Sequence, residues 1–272
     1  MELWNWINTN GLQYISLQSW LKEGINMAFS TRLGGVSNGV YESLNMGLHV
    51  GDQAEMVLEN RRRFLGIFNA QLDDMVACQQ VHGNEVMRVN GIDRGKGSRN
   101  LGDVIMNCDA MITNEPGIYL MSFYADCIPV YFFDPINRAV GMAHSGWKGT
   151  MNKIVVNTVE AMRKEFNTAA NELQIFIGPG IANCCFEIQP DLLAKVKTEF
   201  SGFHAIINYR QNGSISWDLQ ETNSQLLVQA GVNPLNISIC KLCTACHADS
   251  FYSYRREKGD TGRMGALIGI EY

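Results

Sequence analysis

Three residues in this chain combine soft or borderline donor atoms with positions where a fold can present them. They are His82 in "QQVHGNE", Cys127 in "YADCIPV" and His144 in "GMAHSGWKG". Each stands at the border of an apolar, strand-like run, and a glycine follows closely behind both histidines. Imidazole nitrogen and thiolate sulfur are donors that zinc prefers, and a His/Cys/His set leaves a fourth position open for water or substrate. The same trio holds a thiol and an imidazole, the ingredients of a cysteine–histidine nucleophilic pair. On spacing alone a third reading stands beside these, that all three simply pack or hydrogen-bond in a core.

A second cluster, "CTACH" at residues 243–247, matches the attachment signature of c-type haem. Cys240 just ahead of it adds the look of a zinc or iron–sulfur corner. Haem of this type is attached to exported apoproteins, and the opening "MELWNWINTNG" lacks the basic and then apolar regions of a secretory signal. The segment also lacks the four regularly placed cysteines of an iron–sulfur cluster. Cys240, Cys243, Cys246 and His247 are therefore expected to be structural, with a metal corner as the lesser alternative and haem excluded.

At 272 residues the chain can bury a sizeable core in one large domain or two small ones. A formal charge of −5 gives no electrostatic basis for non-specific nucleic-acid binding. No uninterrupted apolar run approaches the ~20 residues of a membrane helix. The expectation is a cytoplasmic protein acting on small molecules, with neither nucleic acid nor membrane as partner. In that reducing setting the eight cysteines read as thiols, ligands or nucleophiles rather than disulfides.

The elements that must position these residues alternate along the chain. "LQYISLQ", "INMAFSTR", "DDMVACQQVH" and "NEVMRVNG" are short apolar or alternating runs of strand type. "MVLENRRRFLGIFN" from Met56 has helical spacing, with Arg61 to Arg63 expected as a solvated face. "IYLMSFYADCIPVYFFD" and "RAVGMAHSGW" predict buried strands, separated by the turn residues Asp134, Pro135 and Asn137. "GTMNKIVVNTVEAMRKEF" predicts one strong helix, and "LQIFIGPGI" another strand. "DLQETNSQLLVQAG" predicts a helix capped by Asp218 and stopped by Gly231, and "MGALIGIEY" a closing strand. No linker, repeat or low-complexity stretch divides the chain, so residues 1–272 read as a single α+β domain.

Taken together, "QQVHG", "DAMIT", "ADCIPV", "GMAHSGWKGT", "IGPGI" and "FYSYRREKGDTGR" resemble the polyphenol oxidase, or laccase-domain, family. "STRLGGVSNGVYESLNMGLHVGD" fits the same family, so the resemblance spans nearly the whole chain. It implies an α+β fold of mixed sheets packed together with flanking helices. It also implies a zinc ion on His82, Cys127 and His144, which then form the catalytic centre, with copper as an alternative occupant. "CT-x-C" before the Ser-Tyr-Arg-Arg motif is typical of the family and carries no haem. Two departures stand out in "ANCCFEI": adjacent cysteines Cys184 and Cys185, and Phe186 where a tyrosine is common. Glu187 is retained, as a catalytic carboxylate or a strand-edge one.

Proteins of this family are described as purine nucleoside phosphorylases, adenosine deaminases and peptidoglycan editing factors. A four-copper laccase calls for about ten imidazole ligands, and the chain has five histidines. Phosphorolysis needs cations for its anionic nucleophile, and the planar fork of arginine suits a phosphate oxyanion. Arg32, Asn45 and Arg61 are the expected substrate and phosphate residues, with Lys148, Arg255 and Arg256 as further candidates. Gly34 and Gly35 would let backbone amides approach. Asp126 is expected either as a general base or as a residue orienting a ligand. The reading is a zinc enzyme that phosphorolyses adenosine or inosine and deaminates adenosine. The alternatives are an editing hydrolase using Cys127 and His144, a weak copper polyphenol oxidase, and a binding protein with structural zinc.

Overall fold

The computed structural model describes residues 4–272. The chain opens with β1 (Asn5–Thr9), β2 (Leu12–Ser16), a short helix α1 (Gln18–Lys22) and β3 (Ile25–Ser30). Helix α2 (Ala54–Gly66) precedes β4 (Met75–Ala77), β5 (Val86–Arg88) and β6 (Ala110–Thr113). Three longer strands follow: β7 (Tyr119–Tyr124), β8 (Ile128–Asp134) and β9 (Ala139–Ser145). Helices α3 (Trp147–Met151) and α4 (Ile154–Phe166) lead to β10 (Gln174–Ile177). Helix α5 (Pro190–Glu199), the small hairpin β11 (Ile207–Tyr209) and β12 (Ile215–Trp217), and α6 (Leu219–Gln229) come next. The chain closes with β13 (Ile237–Ile239) and β14 (Met264–Ile270).

The strands form two six-stranded mixed sheets, ordered β1-β2-β3-β14-β7-β4 and β13-β10-β8-β9-β6-β5. Their inner faces meet in a core that includes Met27, Phe29, Leu120, Tyr124 and Ile268 from one sheet, and Tyr131, Phe133, Met142 and Phe176 from the other. Strands buried on both faces read as continuous apolar runs rather than alternating ones, which is why β7, β8, β9 and β14 stood out in the sequence. The few polar atoms in this layer are paired: Tyr131 Oη donates to the Ala28 carbonyl at 3.0 Å, from one sheet to the other. Helices cover both outer faces. Phe64 and Leu65 of α2 pack on the first sheet, and α4 and α6 pack on the second through residues such as Val155, Val159 and Leu226. The result is the single α+β domain that the sequence predicted.

Two local expectations are corrected. The helix around Met56 begins at Ala54, and its Arg61 is fully buried rather than solvated. Only Arg62 and Arg63 face water, where both meet Glu59. The long helix expected after His144 is two helices, because Lys153 adopts a left-handed conformation with φ of 57°. Asp218 caps α6 as predicted, accepting from Glu221 N–H at 2.9 Å, and Gly231 takes the positive φ that ends it. Among the described residues no helix is long and apolar enough to cross a membrane.

Candidate active site

The ends of four strands place the chemistry. Cys127 precedes β8, His144 is the penultimate residue of β9, Asp109 precedes β6, and His82 lies in the loop after β4. His144 is buried, Cys127 half-buried and His82 exposed, so the group opens to one side. Their donor atoms all lie within 4.8 Å of one another, with His82 Nε2 3.8 Å from Cys127 Sγ. A tetrahedral ion with bonds of about 2.0–2.3 Å holds its donors about 3.3–3.8 Å apart, so the His82–Cys127 pair is already at that spacing and the whole set is close to it.

Asp109 assembles the trio. Its carboxylate accepts from the backbone N–H groups of Val81, His82 and Gly83 at 3.1, 2.9 and 2.7 Å. This clamp holds His82 at a φ of 60°, a left-handed value uncommon for a residue with a side chain. The same carboxylate lies 2.9 Å from His144 Nδ1. That contact fixes the ring and leaves Nε2 for the site, the arrangement that orients most metal-binding histidines. Asp109 was not singled out from the sequence. Its signal was its position directly before the wholly buried strand "AMIT", where a carboxylate needs several donors.

Electrostatics follow from this packing. Burial pushes the Cys127 thiol up, but His144 and then His82 outweigh it and bring it down to about 6. Burial pushes His144 down, while Cys127 and Asp109 bring it up to about 9. Without a metal the pair is a thiolate beside an imidazolium at neutral pH, and the sulfur is in the form that binds metals or attacks carbonyls. Gly146 provides the space: a Cβ there would sit 2.8 Å from Cys127 Sγ and 3.1 Å from His82 Cδ2.

Asp126 is a structural hub. Its carboxylate accepts from Thr244 Oγ1 at 2.7 Å, Ser253 Oγ at 3.0 Å and Arg255 N–H at 2.7 Å. Its carbonyl accepts from Ile181 N–H at 2.7 Å. With these partners it holds three chain segments around Cys127 at a left-handed φ of 85°.

The trio lies in the wall of a cavity of about 970 Å³, at the large end of small-molecule sites. Apolar walls come from residues such as Phe123, Ile181, Phe186 and Leu192, and cations from Lys148, Arg255 and Arg263. His49 also faces it, and burial followed by Arg263 and Arg61 holds its imidazole down at about 4, so that it is neutral. Glu187 lines the cavity as well.

The three residues expected for phosphate have different places. Arg32 is not among the cavity-lining residues; it packs over Tyr252, donates to the Glu42 carbonyl and pairs with Glu257 at 3.4 Å. Asn45 is buried, and its Oδ1 accepts from Gly47 and Arg263 N–H groups at 3.0 and 2.9 Å. Arg61 lies against the ring of the cavity residue Phe123, 4.5 Å from its centroid. It donates to the carbonyls of Met46, Gly97 and Ser98, while its Nη2 has no hydrogen-bond partner. Burial alone pulls its guanidinium down to about 9. Arg256, the other basic candidate, donates to the Thr244, Ala245 and Phe251 carbonyls and pairs with Glu257.

Residues 26–271 match the family described as multi-copper polyphenol oxidoreductase laccase. The chain belongs to this family. Among its relatives in this laccase family is the purine nucleoside phosphorylase YlmD of Bacillus subtilis, 34% identical over 94% of each chain. A purine nucleoside phosphorylase of Bacteroides thetaiotaomicron is 32% identical over 95% of each chain. The crystal structure of YlmD from Geobacillus stearothermophilus superposes with a TM-score of 0.92, covering 100% of both chains at 32% identity. The family description speaks of several coppers, but His82 and His144 are the only histidines in the described trio.

Proposed function

We propose that this chain is a metal-dependent purine nucleoside phosphorylase. The observation that carries the reading is one cavity lined both by the His82/Cys127/His144 set and by the Arg263 and His49 pair. The names of the relatives support it. In the reaction the bond from ribose C1′ to the base breaks, a phosphate oxygen bonds to C1′, and the departing base nitrogen takes a proton.

In this reading His82, Cys127 and His144 would hold the ion, with Asp109 fixing two of them. Their nitrogen and sulfur donors favour zinc, and copper fits the same imidazole and thiolate donors less selectively. When bound, the ion would supply a Lewis acid that withdraws electron density from a substrate oxygen. Arg263 would meet the phosphate with a charge-assisted hydrogen bond, which is stronger than a neutral one. Neutral His49 offers an N–H donor beside it. Arg61, beneath Phe123, supplies positive potential from below, and Asn45 sets the backbone position of Arg263. Arg32 has no part in this assignment. Phe123, Phe186 and Leu192 offer apolar surface for the base and exclude water, which favours phosphate over hydrolysis.

Adenosine deamination is a second activity we assign to the same open metal position. Asp126 would act there only by orienting Cys127, since its carboxylate already accepts three hydrogen bonds. The test is a product assay with inosine and adenosine, with and without phosphate. Phosphorolysis releases base only when phosphate is supplied, whereas deamination makes inosine from adenosine in its absence.

One observation favours a second reading, a cysteine hydrolase that edits peptidoglycan precursors. Asp109, His144 and Cys127 stand in the orienter–base–nucleophile relation of a hydrolytic triad. Release of an amino acid from such a precursor by metal-free protein supports that reading against the first.

A further inference from the structure

We propose that Cys184, Cys185, Cys243 and Cys246 form a second metal site, a tetrathiolate centre for one zinc ion, separate from the His82/Cys127/His144 set. The four Sγ atoms all lie within 4.8 Å of one another. Cys246 Sγ is 3.5 Å from Cys184 Sγ and 3.4 Å from Cys185 Sγ. A tetrahedral zinc thiolate centre, with bonds of about 2.3 Å, separates its sulfurs by about 3.8 Å. Disulfide sulfurs are about 2.05 Å apart. Four sulfurs this close surround one ion, and a multi-iron cluster would spread them further.

The fold brings these sulfurs together from two distant segments. Cys243 and Cys246 form a Cys-x-x-Cys turn in which the Cys246 N–H donates to the Cys243 carbonyl at 3.2 Å. Cys184 and Cys185 come from the loop after β10, which is laid alongside by the pairing of Gly180 with Cys243. Cys240 belongs instead to the core between the sheets, and His247 Nδ1 contacts the Cys243 carbonyl. For Cys243 and Cys246 we thus take the metal corner, the lesser alternative in the sequence, over thiols that merely pack. Only the adjacent pair at 184 and 185 completes a ligand set.

The surroundings suit the charge. Each thiol gives its proton to solvent as its sulfur bonds zinc, so the filled centre carries a formal charge of about −2. Ala182 N–H already points at Cys243 Sγ at 3.4 Å, a donor to a thiolate. Three arginines hold the same loops by their carbonyls: Arg210 on Asn183, Arg255 on Cys185, and Arg256 on Thr244 and Ala245. The centre would brace one wall of the cavity. Ile181, Phe186 and Glu187 flank two of its cysteines and line the cavity, and Thr244 between the other two donates to Asp126 beside Cys127.

The test is metal content and X-ray absorption on the full-length protein purified with zinc, independent of any activity. Wild type should hold two zinc ions per chain. The double variant His82→Ala/His144→Ala should keep one, with a shell of sulfur alone, and Cys184→Ser/Cys246→Ser should lose that one. Cobalt substitution should give thiolate charge-transfer and intense tetrahedral bands that survive in the histidine variant. If the cysteine variant does not fold, the histidine variant decides the matter unaided. Absence of any ion in that variant, nitrogen in its shell, iron instead of zinc, or a disulfide among the four cysteines by mass spectrometry would each overturn the proposal.

Discussion

Asp109 lies 2.9 Å from His144 Nδ1 through the same carboxylate that gathers the N–H groups of residues 81 to 83. One side chain therefore orients both histidines of the site. Burial pushes its carboxyl pKa up, yet the His144 contact and the backbone donors together hold it below the usual carboxylate range.

Asp109→Asn retains size and some acceptor capacity but loses the charge facing His144. Metal affinity should fall about ten- to a hundredfold with the fold intact by circular dichroism. Unchanged metal affinity by competition with a chelator would remove Asp109 from its positioning role.

Gly146→Ala tests the packing of the trio. A methyl group 2.8 Å from Cys127 Sγ must displace the sulfur or the His82 ring. The variant should lose metal at the His82/Cys127/His144 set, and its thermal midpoint should fall by less than in a core truncation. Full retention of the ion at that set would show that the loop yields freely.

The arginines separate binding from folding. Arg263→Ala should raise the phosphate requirement about ten- to a hundredfold, the usual effect of losing a charge-assisted contact. Arg32→Ala should leave it nearly unchanged. Arg61→Ala strands three buried carbonyls and should cost about 2–4 kcal/mol of stability in denaturant unfolding. A phosphate effect in Arg32→Ala larger than in Arg263→Ala would reverse the assignment.

His49 supplies a pH dependence. Its pKa is about 4 in the fold against 6.5 in the unfolded chain. Above the unfolded value both states are neutral and the residue adds no slope. As pH falls from about 6.5 toward 4 the unfolded chain takes up a proton first, so stability is lost over that window. His49 faces the open cavity and water screens it, so the loss should be below about 1 kcal/mol. His49→Asn should flatten this part of a pH–stability curve, and an unaltered curve would mean that His49 titrates normally.

Much of this was legible in the residues. His82, Cys127 and His144 each border an apolar run, and strands ending at one edge of two packed sheets converge there. Arg61 departs from its local pattern, because three consecutive arginines suggest a solvated face. At helical spacing, however, Arg61 shares the face of Val57, Phe64 and Leu65, all buried. Asp109 and the pairing of Cys184 and Cys185 with Cys246 depend on contacts between segments distant in sequence, which no local pattern encodes. The break at Lys153 was hidden because nothing in "GTMNKIVV" forbids a continuous helix.

The most direct test of the central claim follows the oxygen atom that reaches ribose C1′. Purified enzyme is given inosine and phosphate in heavy-oxygen-labelled water, and the sugar product is analysed by phosphorus NMR and mass spectrometry. Phosphorolysis predicts unlabelled ribose-1-phosphate in amounts equal to the hypoxanthine released, with no base released when phosphate is omitted. Free ribose carrying the heavy oxygen, formed at the same rate without phosphate, would contradict it.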